Sequence, residues 1–102
     1  MFPAGISSQR NRYFMQEQSF TIVNKLGLHA RPSAMLVKAA SRFEAEINIE
    51  REGIAVNGKS IMGIMMLAAA KGTAIRLRVD GPDEEEAMTC LGELIANGFG
   101  ED

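Results

Sequence analysis

The chain has 102 residues, 46% hydrophobic and 24% charged, with a formal net charge of −2. That length supports one domain around one core, and that composition argues against a disordered or fibrous chain. The longest apolar run, Ile61 to Ala70, is broken by Gly63 and falls short of the roughly 18 residues that cross a bilayer. No membrane insertion and no secretory leader is expected, which leaves the cytoplasm as the expected compartment.

Residues 1–14 (MFPAGISSQRNRYF) lack periodicity and contain Pro, Gly and Ser, predicting a flexible N-terminal extension ahead of a domain over 15–102. From Ser19, Phe20 and Ile22 with Thr21, Val23 and Asn24 predict a first strand that ends in a turn at Lys25–Gly27. Ala30, Ala34, Val37 and Ala40 then recur at helical spacing. They predict an amphipathic helix beginning close to His29, with Pro32 acceptable because it falls in the first turn.

Ala45, Ile47 and Ile49 alternate with Glu46, Asn48 and Glu50, and Ile54-Ala55-Val56 follows Gly53, so two short strands are expected. Ser60, a favoured N-cap residue, opens a helix expected to reach about Ala70. Ala74 to Val79 alternates strictly, which is the pattern of a strand with one buried and one wet face. Asp83-x-x-Glu86 reads as a capping box before the stripe Ala87, Leu91, Leu94 and Ile95, which stops at Gly98. The predicted order is β-α-β-β-α-β-α, with helices on one face of a half-wet sheet, an α+β architecture.

Charge is unevenly placed. Residues 80–102 hold Asp80, Asp83, Glu84, Glu85, Glu86, Glu93, Glu101 and Asp102 and no base, while all 11 Lys and Arg precede them. No basic cluster is dense enough to suggest nucleic-acid binding. A single cysteine, Cys90, and a single histidine, His29, cannot make an internal disulfide or complete a metal site of the usual ligand number, so no metal is expected. Cys90, beside Leu91 in the final helix, reads as a structural thiol.

Gly53-Ile54-Ala55-Val56-Asn57-Gly58-Lys59-Ser60 satisfies the pattern G-x-x-x-x-G-K-[ST] of a nucleotide-binding P-loop. Such a loop follows a buried parallel strand and wraps phosphates with successive N–H groups. Here Ile54, Ala55 and Val56 would be strand where the loop is required. The only later strand ending in Asp carries arginines at alternate positions, which forbids burial on both faces. Strand, Asn-Gly turn and a helix capped by Ser60 is the better reading, and no nucleotide cofactor is expected.

His29 lies in Gly27-Leu28-His29-Ala30-Arg31-Pro32-Ser33. A histidine at a helix start is ordinarily a capping or surface residue, but its neighbours suit an anion. First-turn N–H groups have no helical acceptor and point outward. Arg31 offers a permanently charged fork for phosphate oxygens, and Gly27 allows close backbone approach. The positive helix end favours a neutral, nucleophilic ring that gains charge by phosphorylation.

GLHARPS, followed at Ser60 by GKSIMG, resembles the histidine phosphocarrier family HPr of the bacterial phosphoenolpyruvate-dependent phosphotransferase system. The similarity in element order covers about residues 19–98, and only the N-terminal extension departs from it. It implies an open-faced β-sandwich with a four-stranded antiparallel sheet and helices on one face. It implies that His29 takes a phosphoryl group on Nδ1 from phospho-Enzyme I and hands it to an Enzyme IIA-type acceptor, with Arg31 steadying the phosphate. The chain would then be a monomeric carrier, with a phosphohistidine intermediate, rather than a stand-alone catalyst.

The same resemblance implies that Ser60 is a possible phosphoserine, modified by an HPr kinase/phosphorylase in some bacteria. Burial is the ordinary fate of a helix apolar nearly all round. The resemblance instead makes Ile61, Met62 and Met65, together with Leu28 beside the histidine, a docking face for partners, to which adaptable methionines are suited. Two alternatives stay open: the nitrogen-related phosphocarrier NPr, which AAAKGTA and the acidic final helix also fit, and a binding module that depends on Ser60 to engage a regulator.

Overall fold

The computed structural model describes residues 15–101; the extension expected over residues 1–14 lies outside them. In chain order the elements are β1 (Gln16–Thr21), α1 (Ala30–Ala40), β2 (Glu46–Arg51), β3 (Ile54–Asn57), α2 (Ile61–Met66), β4 (Ala74–Asp80) and α3 (Glu84–Ala96), followed by a 3-10 turn at Gly98–Gly100. The strands form one sheet in the order β1-β4-β2-β3, antiparallel at every pairing. β4 thus inserts between the strands that came before it. The fold is the expected open-faced α+β sandwich.

Alternation decides which face is covered. Ile75, Leu77 and Val79 of β4 and Ile47 and Ile49 of β2 are buried, and the register sets Ile49 opposite Leu77 and Ile47 opposite Val79. Leu36 and Ala40 of α1 and Ala87, Leu91 and Ile95 of α3 close over this layer. Each such large apolar side chain, once buried, stabilises the fold by roughly 1.5–3 kcal/mol. On the other face Arg78 Nη2 meets Glu17 Oε2 at 2.7 Å and Glu50 Oε1 at 3.4 Å. This exposed cluster marks the wet side of the sheet more than it stabilises it. No helix among the described residues is long and apolar enough to cross a membrane.

Beyond β1, which starts at Gln16 and ends at Thr21 so that Ile22, Val23 and Asn24 lie past the strand, the structure departs from the sequence pattern in two further places. α2 stops at Met66 rather than near Ala70, because Ala68 adopts a left-handed conformation (φ 51) and Ala69 leaves the helix to accept the Leu28 N–H at 2.9 Å. The Asp83 capping box does not form. Asp83 stands at the N-cap of α3 without a side-chain cap bond; its carboxylate instead accepts the N–H groups of Glu44 and Ala45, both at 2.9 Å. Two amides in the turn before β2 outcompete the helix for the same oxygens, and Glu84 Oε1 takes the Gly81 N–H.

Candidate functional site

The loop between β1 and α1 is fixed before the histidine is reached. Ile22 N–H donates to Thr73 O at 2.9 Å and Gly72 N–H to Ile22 O at 2.8 Å. Gly27 turns with φ 68, and its N–H bonds Asn24 O at 3.1 Å. Leu28 is then held by Ala69 O, and its own carbonyl accepts the Ser33 hydroxyl at 3.1 Å. His29 is therefore mounted on a backbone pinned from both sides.

His29 is the N-cap of α1 (φ −78, ψ −170), with its side chain making no cap bond, and its carbonyl accepts the Ser33 N–H at 3.0 Å. Pro32 has no N–H, so the first-turn donors beside the ring are the amides of Ala30 and Arg31, which have no carbonyl within the helix to bond. The imidazole is 36% exposed, and Nε2 lies 3.1 Å from Glu101 Oε1. An ionised carboxylate only accepts, so the ring proton belongs on Nε2 and the lone pair on Nδ1. The hydrogen bond from His29, then that from Asn24 and the charges of His29 and Arg31, hold the Glu101 carboxyl below its ordinary value against the opposing effect of burial.

Glu101 is brought there by the end of α3. Asn97 ends that helix, Gly98 and Phe99 take left-handed conformations, and Phe99 is buried in the core. The chain after Phe99 is thereby aimed across the β1–α1 loop. Asn24, itself buried, donates from Nδ2 to Gly27 O at 2.8 Å and to Glu101 Oε1 at 3.1 Å. Arg31 is exposed on the first turn.

Ser60 is the N-cap of α2, and its hydroxyl oxygen accepts the Gly63 N–H at 3.0 Å. Of the helix that follows only Ile64 is buried; Ile61, Met62 and Met65 are exposed, Met62 to 76%. A six-residue helix resting on α1 and β3 can cover only one side of itself. Leu28 corrects the expected docking face: it is 4% exposed and belongs to the core, because its backbone bond to Ala69 turns its side chain inward. Met66, in the same helix as Met62, is 78% exposed.

Residues 16–97 match the family described as the PTS HPr component phosphorylation site. The chain belongs to the HPr family. It is 56% identical over 87 residues to a phosphocarrier protein HPr of Neisseria meningitidis, a stretch covering 85% of this chain and 98% of that one. It superposes on the crystal structure of HPr from Thermoanaerobacter tengcongensis with a TM-score of 0.82 at 47% identity, covering 85% of this chain and 98% of the other. Crh from Bacillus subtilis, described as a swapped, intertwined dimer, matches with a TM-score of 0.67 at 43% identity, over 72% of this chain and 85% of that one.

Within this HPr fold, Cys90 lies apart from the histidine. It accepts a hydrogen bond from Arg42 Nη2 at 3.1 Å in a shallow depression shared with Phe43 and Glu93, whose walls do not include His29. Sequence reasoning passed over Asn24 as the end of a strand and Glu101 as one of many C-terminal acids. The available signal was a lone imidazole with no acid near it in the chain, which needs an orienting partner from a distance.

Proposed function

We propose that His29 carries a phosphoryl group on Nδ1, received from phospho-Enzyme I and passed to an Enzyme IIA-type acceptor. The observation that carries this reading is the division of labour on the ring: Glu101 occupies Nε2, leaving Nδ1 as the nucleophilic nitrogen at the start of α1. The Ala30 and Arg31 amides and the Arg31 guanidinium supply donors for an arriving dianion. Nothing else is asked of the chain, since the donor brings the reactive phosphoryl group and the acceptor removes it. It works as a cytoplasmic monomer, on the HPr branch that its named relatives support.

Ile61, Met62, Met65 and Met66 are the apolar face on which partners dock, and Ser60 at its edge is the regulatory serine. A phosphate on Ser60 can still accept from the Gly63 amide while placing negative charge beside that face, repelling an acidic partner. The test is incubation with phosphoenolpyruvate and each class of Enzyme I, read by mass spectrometry against His29→Ala. One acid-labile phosphate is expected on the unaltered chain and none on the variant. Label persisting in the variant overturns the site, and preference for the nitrogen-branch donor assigns the chain to NPr.

A further inference from the structure

We infer that Asn24 and Glu101 form a clamp that sets the orientation and tautomer of His29, with Glu101 as the group touching the ring and Asn24 as the residue that positions Glu101; the inference rests on the carrier reading above. Asn24 is 1% exposed. Both of its side-chain contacts are to acceptors, Gly27 O and Glu101 Oε1, so its amide must face them with Nδ2. That leaves Asn24 Oδ1 buried with no partner among the described residues.

An orphaned buried carbonyl is costly, and an apolar residue would avoid it. What the fold obtains in exchange is one side chain tying the Gly27 turn, which carries the histidine, to the carboxylate that grips it. Glu101 Oε1 accepts from Asn24 and from His29 on the same oxygen. The carboxylate is therefore not free to rotate away from the ring. Its side chain is 18% exposed, so water competes weakly for the bond.

The chemical consequence follows atom by atom. The Nδ1 lone pair forms the new N–P bond while the donor's bond to phosphorus breaks and its electron pair returns to the donor. No proton moves. The ring becomes a phosphoimidazolium whose positive charge sits at Nε2–H, against Glu101. In the onward transfer the Nδ1–P electron pair returns to the ring, which is again neutral with its proton on Nε2. The clamp keeps Nδ1 aimed and unprotonated before transfer, and stabilises the charge during it.

The experiment uses chain labelled with 15N at histidine, in unaltered form and as Glu101→Ala, Glu101→Gln and Asn24→Ala. Ring 15N spectra and Nε2–H exchange rates read the clamp directly, and single-turnover phosphorylation by phosphoenolpyruvate and Enzyme I reads its effect. The unaltered chain is expected to hold the Nε2–H tautomer with slowed exchange. Glu101→Ala and Asn24→Ala are expected to lose that protection and to slow roughly tenfold at saturating donor, with little change in donor affinity. Glu101→Gln keeps an oxygen that accepts from both neighbours but not the charge; it is expected to keep the protection and fall between the others in rate. A Glu101→Ala chain that is folded by circular dichroism and matches the unaltered ring spectrum or the unaltered rate overturns the clamp. An unaltered chain that takes no label sinks the carrier reading and the clamp's role with it, whereas normal label with an undiminished Glu101→Ala rate sinks the clamp alone.

Discussion

Gly27 packs directly beneath Ala69. A Cβ on Gly27 would stand 2.4 Å from the Ala69 carbonyl oxygen and 2.8 Å from the Ala70 Cα, and its φ of +68 adds strain for any L side chain. Both obstacles are backbone, so neither can rotate aside. Gly27→Ala is expected to destabilise the fold by about 2–4 kcal/mol, from left-handed strain plus overpacking. Because Leu28 and His29 follow immediately, phosphoryl acceptance should fall as well. Urea unfolding checks the first effect, and a midpoint equal to that of the unaltered chain would contradict this packing.

Asp83 links stability to pH. Its carboxyl is held below the ordinary value of 3.8, foremost by the Glu44 N–H, then by the Ala45 N–H and, more weakly, by the charge of Lys59. A depressed folded value means that the stabilisation is complete above the unfolded value and is lost as pH falls through the folded one. Asp83→Ala is therefore expected to unfold more readily than the unaltered chain at neutral pH, with the gap closing in strong acid. Urea midpoints compared at neutral pH and well below the carboxyl range test this. A gap of constant size would mean that Asp83 acts by something other than its charge.

Ser60→Ala removes the acceptor of the Gly63 N–H. Loss of an N-cap of this kind costs about 1 kcal/mol, and the six residues of α2 leave few other bonds to absorb it. The expected signature is faster amide exchange at Gly63, together with a modestly lower urea midpoint. Unchanged exchange at that amide would show the cap to be idle in solution.

Ala68 offers the opposite change. It holds φ 51 on an exposed turn, a conformation that costs an L residue about 1–2 kcal/mol. Glycine relieves that strain but loses about 0.5–1 kcal/mol through a freer unfolded chain. Ala68→Gly is thus expected to raise stability by roughly 0.5–1 kcal/mol. A measured loss would mean that the Ala68 methyl makes contacts worth more than the strain.

The elements whose signal is local were legible in the sequence. The alternation of β4 and the stripe of α3 named their own buried faces, and the strand, turn and capped helix around Ser60 appear where the P-loop match was set aside. Two of the misreadings share one cause, competition for a polar group by a partner distant in sequence. Asp83 fits a capping box until the amides of Glu44 and Ala45 claim it. The apolar run after Ser60 looks helical to Ala70 until Ala69 is drawn off by Leu28. At the site, His29 and Arg31 stand in a contiguous motif, whereas Asn24 and Glu101 carry no local mark because their meaning lies in what they touch.

The imidazole and the carboxylate it meets are separated by 72 positions in the chain, and the carbonyl that seats Leu28 comes from beyond α2. A synthetic peptide spanning the loop and α1 would spell every letter of GLHARPS. At 11 residues its helix would be marginal in isolation, and neither Ala69 nor Glu101 would be there to meet it. Grafting the seven letters onto an unrelated scaffold would therefore move the spelling and leave the surroundings of the ring behind.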